Sequence, residues 1–156
     1  MSTVLIVEDD LSIADLLQRE LEAAGYSVSG IARTTREAKN SAELQVPDFA
    51  IVDIRLANGD LGTDVAARLR RTTKAGIIFS TGNSNDLTTM APLGDAVMTK
   101  PYRISDIGRG LRIIDEMTRF GRTELTFPRN FQLLASEGVE SPPRRREDRL
   151  HGRALE

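Results

Sequence analysis

Four stretches of this chain end an apolar run in residues able to do chemistry: Glu8-Asp9-Asp10, Asp53, Ser80-Thr81 and Lys100. Glu8, Asp9 and Asp53 are carboxylates, hard oxygen ligands of the kind that suit Mg²⁺, which keeps several waters and takes one or two carboxylates. Without a cation, their mutual repulsion would raise their pKa values and destabilise the fold. Asp53 follows three apolar residues and so sits at the buried end of a strand. A carboxylate there is a competent phosphoryl acceptor when a metal and a cation neutralise the incoming charge. Lys100 supplies such a cation, a compact point charge suited to a phosphoryl oxygen. The Thr81 hydroxyl offers a donor to another oxygen, and backbone N–H groups after Asp53 and Thr81 complete a cradle. The plain alternative for Glu8 and Asp9 is a solvated strand end or a helix cap, but Asp10 already supplies a cap. For Lys100 it is an ordinary surface lysine, yet the chain has only Lys39, Lys74 and Lys100, and this one precedes Pro101 at a strand end.

The elements that must position these groups alternate in period. Thr3–Val7 is a short apolar run ending in acids, the pattern of a strand buried on both faces. Asp10 then opens a helix with Ile13, Leu16, Leu17, Leu21 and Ala24 at 3–4 spacing and Gly25 as its stop. Tyr26–Ile31 is a second strand, and Thr34 or Thr35 caps a helix running to about Leu44. Asp48–Val52 is a third strand, ending at Asp53. A loop with Asn58, Gly59, Asp60 and Gly62 leads to a helix carrying Val65, Ala66 and Leu69. Gly76–Phe79 is a fourth strand, ending at Ser80-Thr81-Gly82. The helical signal around Leu87–Met90 is poor, Asp95–Met98 is a short fifth strand, and Ile104, Ile107, Leu111, Ile114 and Met117 mark a last amphipathic helix. Five strands alternating with five helices predict an α/β fold with a parallel sheet covered on both faces. In such sheets ligands bind beyond the carboxyl ends of the strands. The four chemical stretches all fall on that rim.

Composition bounds the rest. A chain of 156 residues, 28% charged and 40% hydrophobic, reads as one soluble globular domain with a full core. No apolar run approaches the roughly 18–20 residues that span a bilayer, and the N-terminal stretch reaches acid too soon for a signal peptide. A cytoplasmic protein with no membrane partner is the expectation. Cysteine is absent, which excludes disulfides and thiolate sites. The net charge of −2 divides into −4 over residues 1–118 and +2 over 119–156, so the domain has no electrostatic reason to bind nucleic acid. The tail loses periodicity after Arg119. Phe127, Phe131, Leu133 and Leu134 could dock a short element on the body, and beyond Ser136 the composition, with Ser141-Pro142-Pro143-Arg144, reads as disordered. His151, the one histidine, lies in that arginine-rich tail and reads as solvent-exposed.

Glu8-Asp9 after strand one, Asp53 after strand three, Thr81 after strand four and Lys100-Pro101 after strand five resemble the response-regulator receiver domain. The resemblance covers about residues 1–118, leaving 119–156 as an extension with no recognisable output domain and too short for a helix-turn-helix. It implies a flavodoxin-like, doubly wound sheet of order 2-1-3-4-5, Mg²⁺ as cofactor, and phosphotransfer to Asp53 from a sensor histidine kinase or phosphotransfer protein. By position, Asp9, Asp53 and the carbonyl of Arg55 ligate the metal, Glu8 assists through water, and Thr81 and Lys100 bind the phosphoryl group. Such a chain is a phosphoacceptor that assists its own phosphorylation and dephosphorylation rather than a conventional enzyme. Its output is a contact with a downstream protein, with a homodimer as one option, or a role as relay or phosphate sink. A cis peptide at Lys100–Pro101 would turn the lysine back over the strand end toward Asp53.

Three departures from the family pattern stand out. Ala57 replaces the usual proline of the loop after Asp53, and Gly62 comes one residue late. Val97 falls where the family has its switch aromatic, so signalling through the face of helix four, strand five and helix five would use backbone movement in residues 83–90. Phe79-Ser80-Thr81-Gly82-Asn83 looks like the ending of a subgroup of free-standing bacterial receivers. Arg55 and Asn83 lie two residues beyond Asp53 and Thr81, at positions that in the family flank the path of the attacking water, so the resemblance implies that they tune dephosphorylation. Rival readings fare worse. A flavodoxin-type flavin site would carry its phosphate loop after strand one, where this chain has acids. An Asp-x-Asp phosphatase would need an acid where Arg55 stands. A receiver-like protein-binding module that takes no phosphate would have no need of the full residue set.

Overall fold

A computed structural model of the chain describes residues 1–82 and 87–134. Strand β1 (Thr3–Val7) leads to helix α1 (Leu11–Ala23), whose first turn is capped by Asp10: its carboxylate accepts the Ser12 and Ile13 N–H groups at 2.9 and 3.3 Å. Strand β2 (Ser27–Ala32) follows, then α2 (Thr35–Leu44), capped by Thr34, and β3 (Phe49–Asp53). A 3-10 turn (Ala57–Gly59) precedes α3 (Gly62–Thr72), which leads to β4 (Gly76–Thr81). The four-residue α4 (Leu87–Met90), β5 (Ala96–Thr99) and α5 (Asp106–Phe120) complete the alternation.

The sheet order is β2-β1-β3-β4-β5, all parallel, as the residue pattern and the resemblance led us to expect. One strand more than expected is present. β6 (Phe131–Leu133) runs antiparallel along the outer edge of β5. Three residues carry no readable alternation; tertiary packing of Phe131 places them. The edge of the expected β5 face is therefore covered by the chain's own extension. The boundary drawn at residue 118 falls inside α5, which continues to Phe120.

Strand alternation sorts the core into two layers. Val4, Ile6, Phe49, Ile51, Ile78, Ala96 and Met98 face α1 and α5, meeting Leu17, Leu21, Ile107, Leu111 and Ile114. Leu5, Val7, Ala50, Val52, Ile77, Phe79 and Val97 face the other side, where Ala38, Val65, Leu69 and Met90 cover them. With both faces of β1, β3 and β4 covered, these central strands present their polar groups at the carboxyl ends. No helix among the described residues is long and apolar enough to cross a membrane. Asn83 and the tail from residue 135, including His151, lie outside the described residues.

Candidate functional site

At the end of β1 the Glu8 N–H donates to the Ala32 carbonyl at 2.9 Å, extending the ladder with β2 by one residue. The Glu8 side chain is turned inward and is only 3% exposed. Its Oε1 accepts the Asp10 N–H at 3.2 Å. Asp53 closes β3 and is 8% exposed. Adjacent parallel strands thus bring Glu8, Asp9 and Asp53 together, with one carboxylate oxygen of each within 4.8 Å of the others. Oxygens this close can serve one hard cation, two of them directly and the third through water, after small side-chain movements. Burial first, then the charge of Asp53 and a hydrogen bond with it, pushes the Glu8 carboxyl up to about 7; the Asp10 amide and Lys100 act in the opposite direction. A divalent cation relieves this kind of repulsion, so both the donor set and its electrostatics fit Mg²⁺.

Lys100 meets the cluster from the far side. Its Nζ lies 3.1 Å from Asp53 Oδ2. Burial lowers the lysine's proton affinity, but the hydrogen bond and charge of Asp53, with the charge of Glu8, outweigh it and hold the pKa above the ordinary lysine value. The Lys100 N–H donates to the Thr81 carbonyl at 2.8 Å, and the Lys100–Pro101 peptide is cis. Thr81 is buried at the end of β4, opposite Thr99. One residue earlier, Ser80 pairs with Asp53 in register, and its carbonyl accepts the Ile54 N–H at 3.3 Å. The Ser80 hydroxyl lies 3.0 Å from the Tyr102 hydroxyl.

The loop after β3 is shaped around Asp53. Arg55 bridges Leu61, with Gly62 N–H to Ile54 O and Leu56 N–H to Asp60 O on either side. In such a pair the central residue turns its own N–H and C=O away from its partner, both to one side. The Arg55 N–H reaches Asp53 Oδ1 at 3.4 Å, so its carbonyl faces the same side. The Arg55 side chain is exposed. A Cβ at Gly62 would collide with the Asp53 carbonyl oxygen, which requires glycine there whatever its register in the family pattern.

Several residues that hold the rim were not singled out by type or spacing. Asp60 accepts the N–H and hydroxyl of Thr35, each at 2.9 Å, tying the β3–α3 loop to α2. Arg33 donates from Nε to the Asp9 carbonyl at 3.3 Å, while its own carbonyl accepts the Ala57 N–H at 3.1 Å. Tyr102, the partner of the Ser80 hydroxyl, is a third. Each is a contact between segments distant in sequence, and no local pattern announces such contacts. Val97 is 1% exposed and packed in the layer of Phe79 and Met90.

Comparison with known proteins agrees with this geometry. PhyR, the phyllosphere-induced regulator of Methylorubrum extorquens, is 34% identical over 106 residues, covering 67% of this chain and 40% of that protein. The PhyR structure from Brucella abortus matches with a TM-score of 0.65 at 29% identity, covering 77% of this chain and 51% of that one. Thermotoga maritima TrrA, crystallised in complex with Mg²⁺-BeF, matches with a TM-score of 0.65 at 26% identity, covering 73% of this chain and 99% of that one. The chain thus spans about half or less of these two PhyR proteins. The response regulator receiver domain profile matches residues 4–112, well over half of the chain, which belongs to that family.

Proposed function

We propose that this receiver takes a phosphoryl group on Asp53 from a histidine kinase or phosphotransfer protein and passes the signal on by protein contact or relay. The observation that carries the reading is one cluster: three carboxylates within 4.8 Å and a lysine 3.1 Å from Asp53. Asp9, Asp53 and the Arg55 carbonyl would hold Mg²⁺, with Glu8 acting through water. The ion, when bound, supplies positive charge to the phosphoryl oxygens. An Asp53 oxygen forms the new O–P bond as the donor's P–N bond breaks, leaving an acyl phosphate. Lys100 follows the added charge by exchanging its Asp53 partner for a phosphoryl oxygen, and the Thr81 hydroxyl donates to another. The complex of a relative with Mg²⁺-BeF supports the same reading. Residues 1–118 are the proposed receiver unit, 119–156 its extension, and the cytoplasm its place of work.

Acetyl phosphate with Mg²⁺ tests this. Wild type is expected to gain one phosphoryl mass, and chelation of the metal or Asp53→Asn to abolish the gain. Labelling that persists in Asp53→Asn would move the acceptor elsewhere.

A further inference from the structure

The family profile matches residues 4–112, and beyond it the chain continues and returns to the lysine of the site. Gly121 closes α5 in the left-handed conformation, φ 69°, and the following segment leads to β6 on the edge of β5. Phe131 anchors this strap. It is 8% exposed, packs edge-to-face on Phe127 at 5.4 Å, and lies where a Cβ at Gly110 would come within 3.0 Å of its ring. The residue before it, Asn130, adopts φ 63°, a left-handed conformation that asparagine enters more readily than most side chains. In that conformation its carbonyl accepts the Thr99 N–H at 3.0 Å and its Nδ2 donates to the Pro101 carbonyl at 2.8 Å. The two bonds bracket Lys100, one on the residue before it and one on the residue after.

We propose that Asn130 is a positioning residue for Lys100: the strap from Gly121 to Leu134 clamps the Lys100–Pro101 loop from outside and thereby sets the rate of phosphoryl transfer to Asp53. From inside, the loop is held by Lys100 N–H to Thr81 and by Tyr102 on Ser80. With the outer clamp in place, the lysine backbone is fixed at both flanks, and only its side chain needs to move when charge arrives on Asp53. Preorganised charge of this kind costs no reorganisation at the moment of reaction. The inference rests on Asp53 being the acceptor.

Asn130→Gly keeps the left-handed backbone at no steric cost and deletes only the amide donor. Asn130→Asp replaces that donor with a carboxylate facing the Pro101 carbonyl. Gln132→Ala, at an exposed position of β6, is the control. Full-length proteins are compared for initial labelling rate at saturating acetyl phosphate, for half-saturating donor and Mg²⁺ concentrations, and for amide exchange at Thr99 and Lys100. The clamp predicts labelling about fivefold slower in Asn130→Gly, the scale of one hydrogen bond, and slower still in Asn130→Asp. Both half-saturation values stay unchanged, and Gln132→Ala behaves as wild type. Asn130→Gly labelling at the wild-type rate overturns the clamp. If wild type takes no label, the acceptor reading falls instead; the clamp is then judged by exchange at Thr99 and Lys100, which quickens in Asn130→Gly if the strap holds the loop and is unchanged if it does not.

Discussion

The two apolar layers and the carboxyl rim of the same sheet are built on opposite terms. In the layers, every strand side chain between Val4 and Val7 is fully buried against its own kind, and each contact stabilises the fold. On the rim, Glu8 and Asp53 are nearly as buried but carry like charge, and Glu8 is pushed up to about 7 as a result. One region is packed for stability. The other stores electrostatic cost where a cation and a phosphoryl group would use it, and the helices covering both faces confine that cost to the strand ends.

The contrast is broken most severely from the apolar side. Leu111, fully buried on α5, should lose about 4 kcal/mol of unfolding free energy on substitution by alanine, from lost transfer energy and the cavity left behind. Urea melts would measure this. The folded fraction should still label, because no rim residue has moved. A mutant that keeps full stability would mean that the layers are not the source of the fold's stability.

The rim should show the opposite dependence, on pH. Glu8 has a folded pKa of about 7 against an ordinary 4.5. Between those values the folded chain retains a proton that the unfolded chain has released, so unfolding free energy falls as pH rises. The loss is about 3 kcal/mol in total for the metal-free protein, absent below pH 4.5 and complete above pH 7. Glu8→Gln should flatten this window, and added Mg²⁺ should restore stability more at pH 8 than at pH 5. A stability curve that rises through the window in the metal-free wild type would contradict the assignment of strain to Glu8.

A smaller effect sharpens the comparison at the rim's exposed lip. The Arg55 side chain is free of the core, so Arg55→Ala should leave stability unchanged and alter only the lifetime of phosphorylated Asp53. On the proposal that this side chain shields the phosphoryl oxygens, its loss should speed decay about threefold, a barrier change below 1 kcal/mol. Decay after donor removal measures it. Slower decay would instead assign Arg55 to transition-state stabilisation, as for an arginine finger. Asn83→Ala belongs in the same series.

How much of this was legible in the sequence follows from the same division. Apolar runs and helices of period 3.6 are local signals, and they locate β1 to β5 and α1 to within a residue or two and α5 to within three. Glu8, Asp9, Asp53, Thr81 and Lys100 could be singled out because each lies within two residues of the end of such a run. Gly62 was noticed only for its register, whereas the structure shows that the Asp53 carbonyl leaves no room for a side chain. Asp60, Arg33 and Tyr102 act between segments that are far apart in sequence. β6 is three residues long and is placed by one buried phenylalanine. Contacts of this kind become visible only when the chain has closed on itself.

The central claim is that Asp53, and not one of its neighbouring carboxylates, carries the phosphoryl group. Its most direct test is to label wild type with acetyl phosphate and Mg²⁺, reduce the acyl phosphate with borohydride, and map the peptides by mass spectrometry. Reduction turns a phosphorylated aspartate into homoserine. The geometry predicts homoserine at residue 53 and nowhere else. Conversion at Asp9 or at any other carboxylate, or none in protein that binds Mg²⁺, would contradict it.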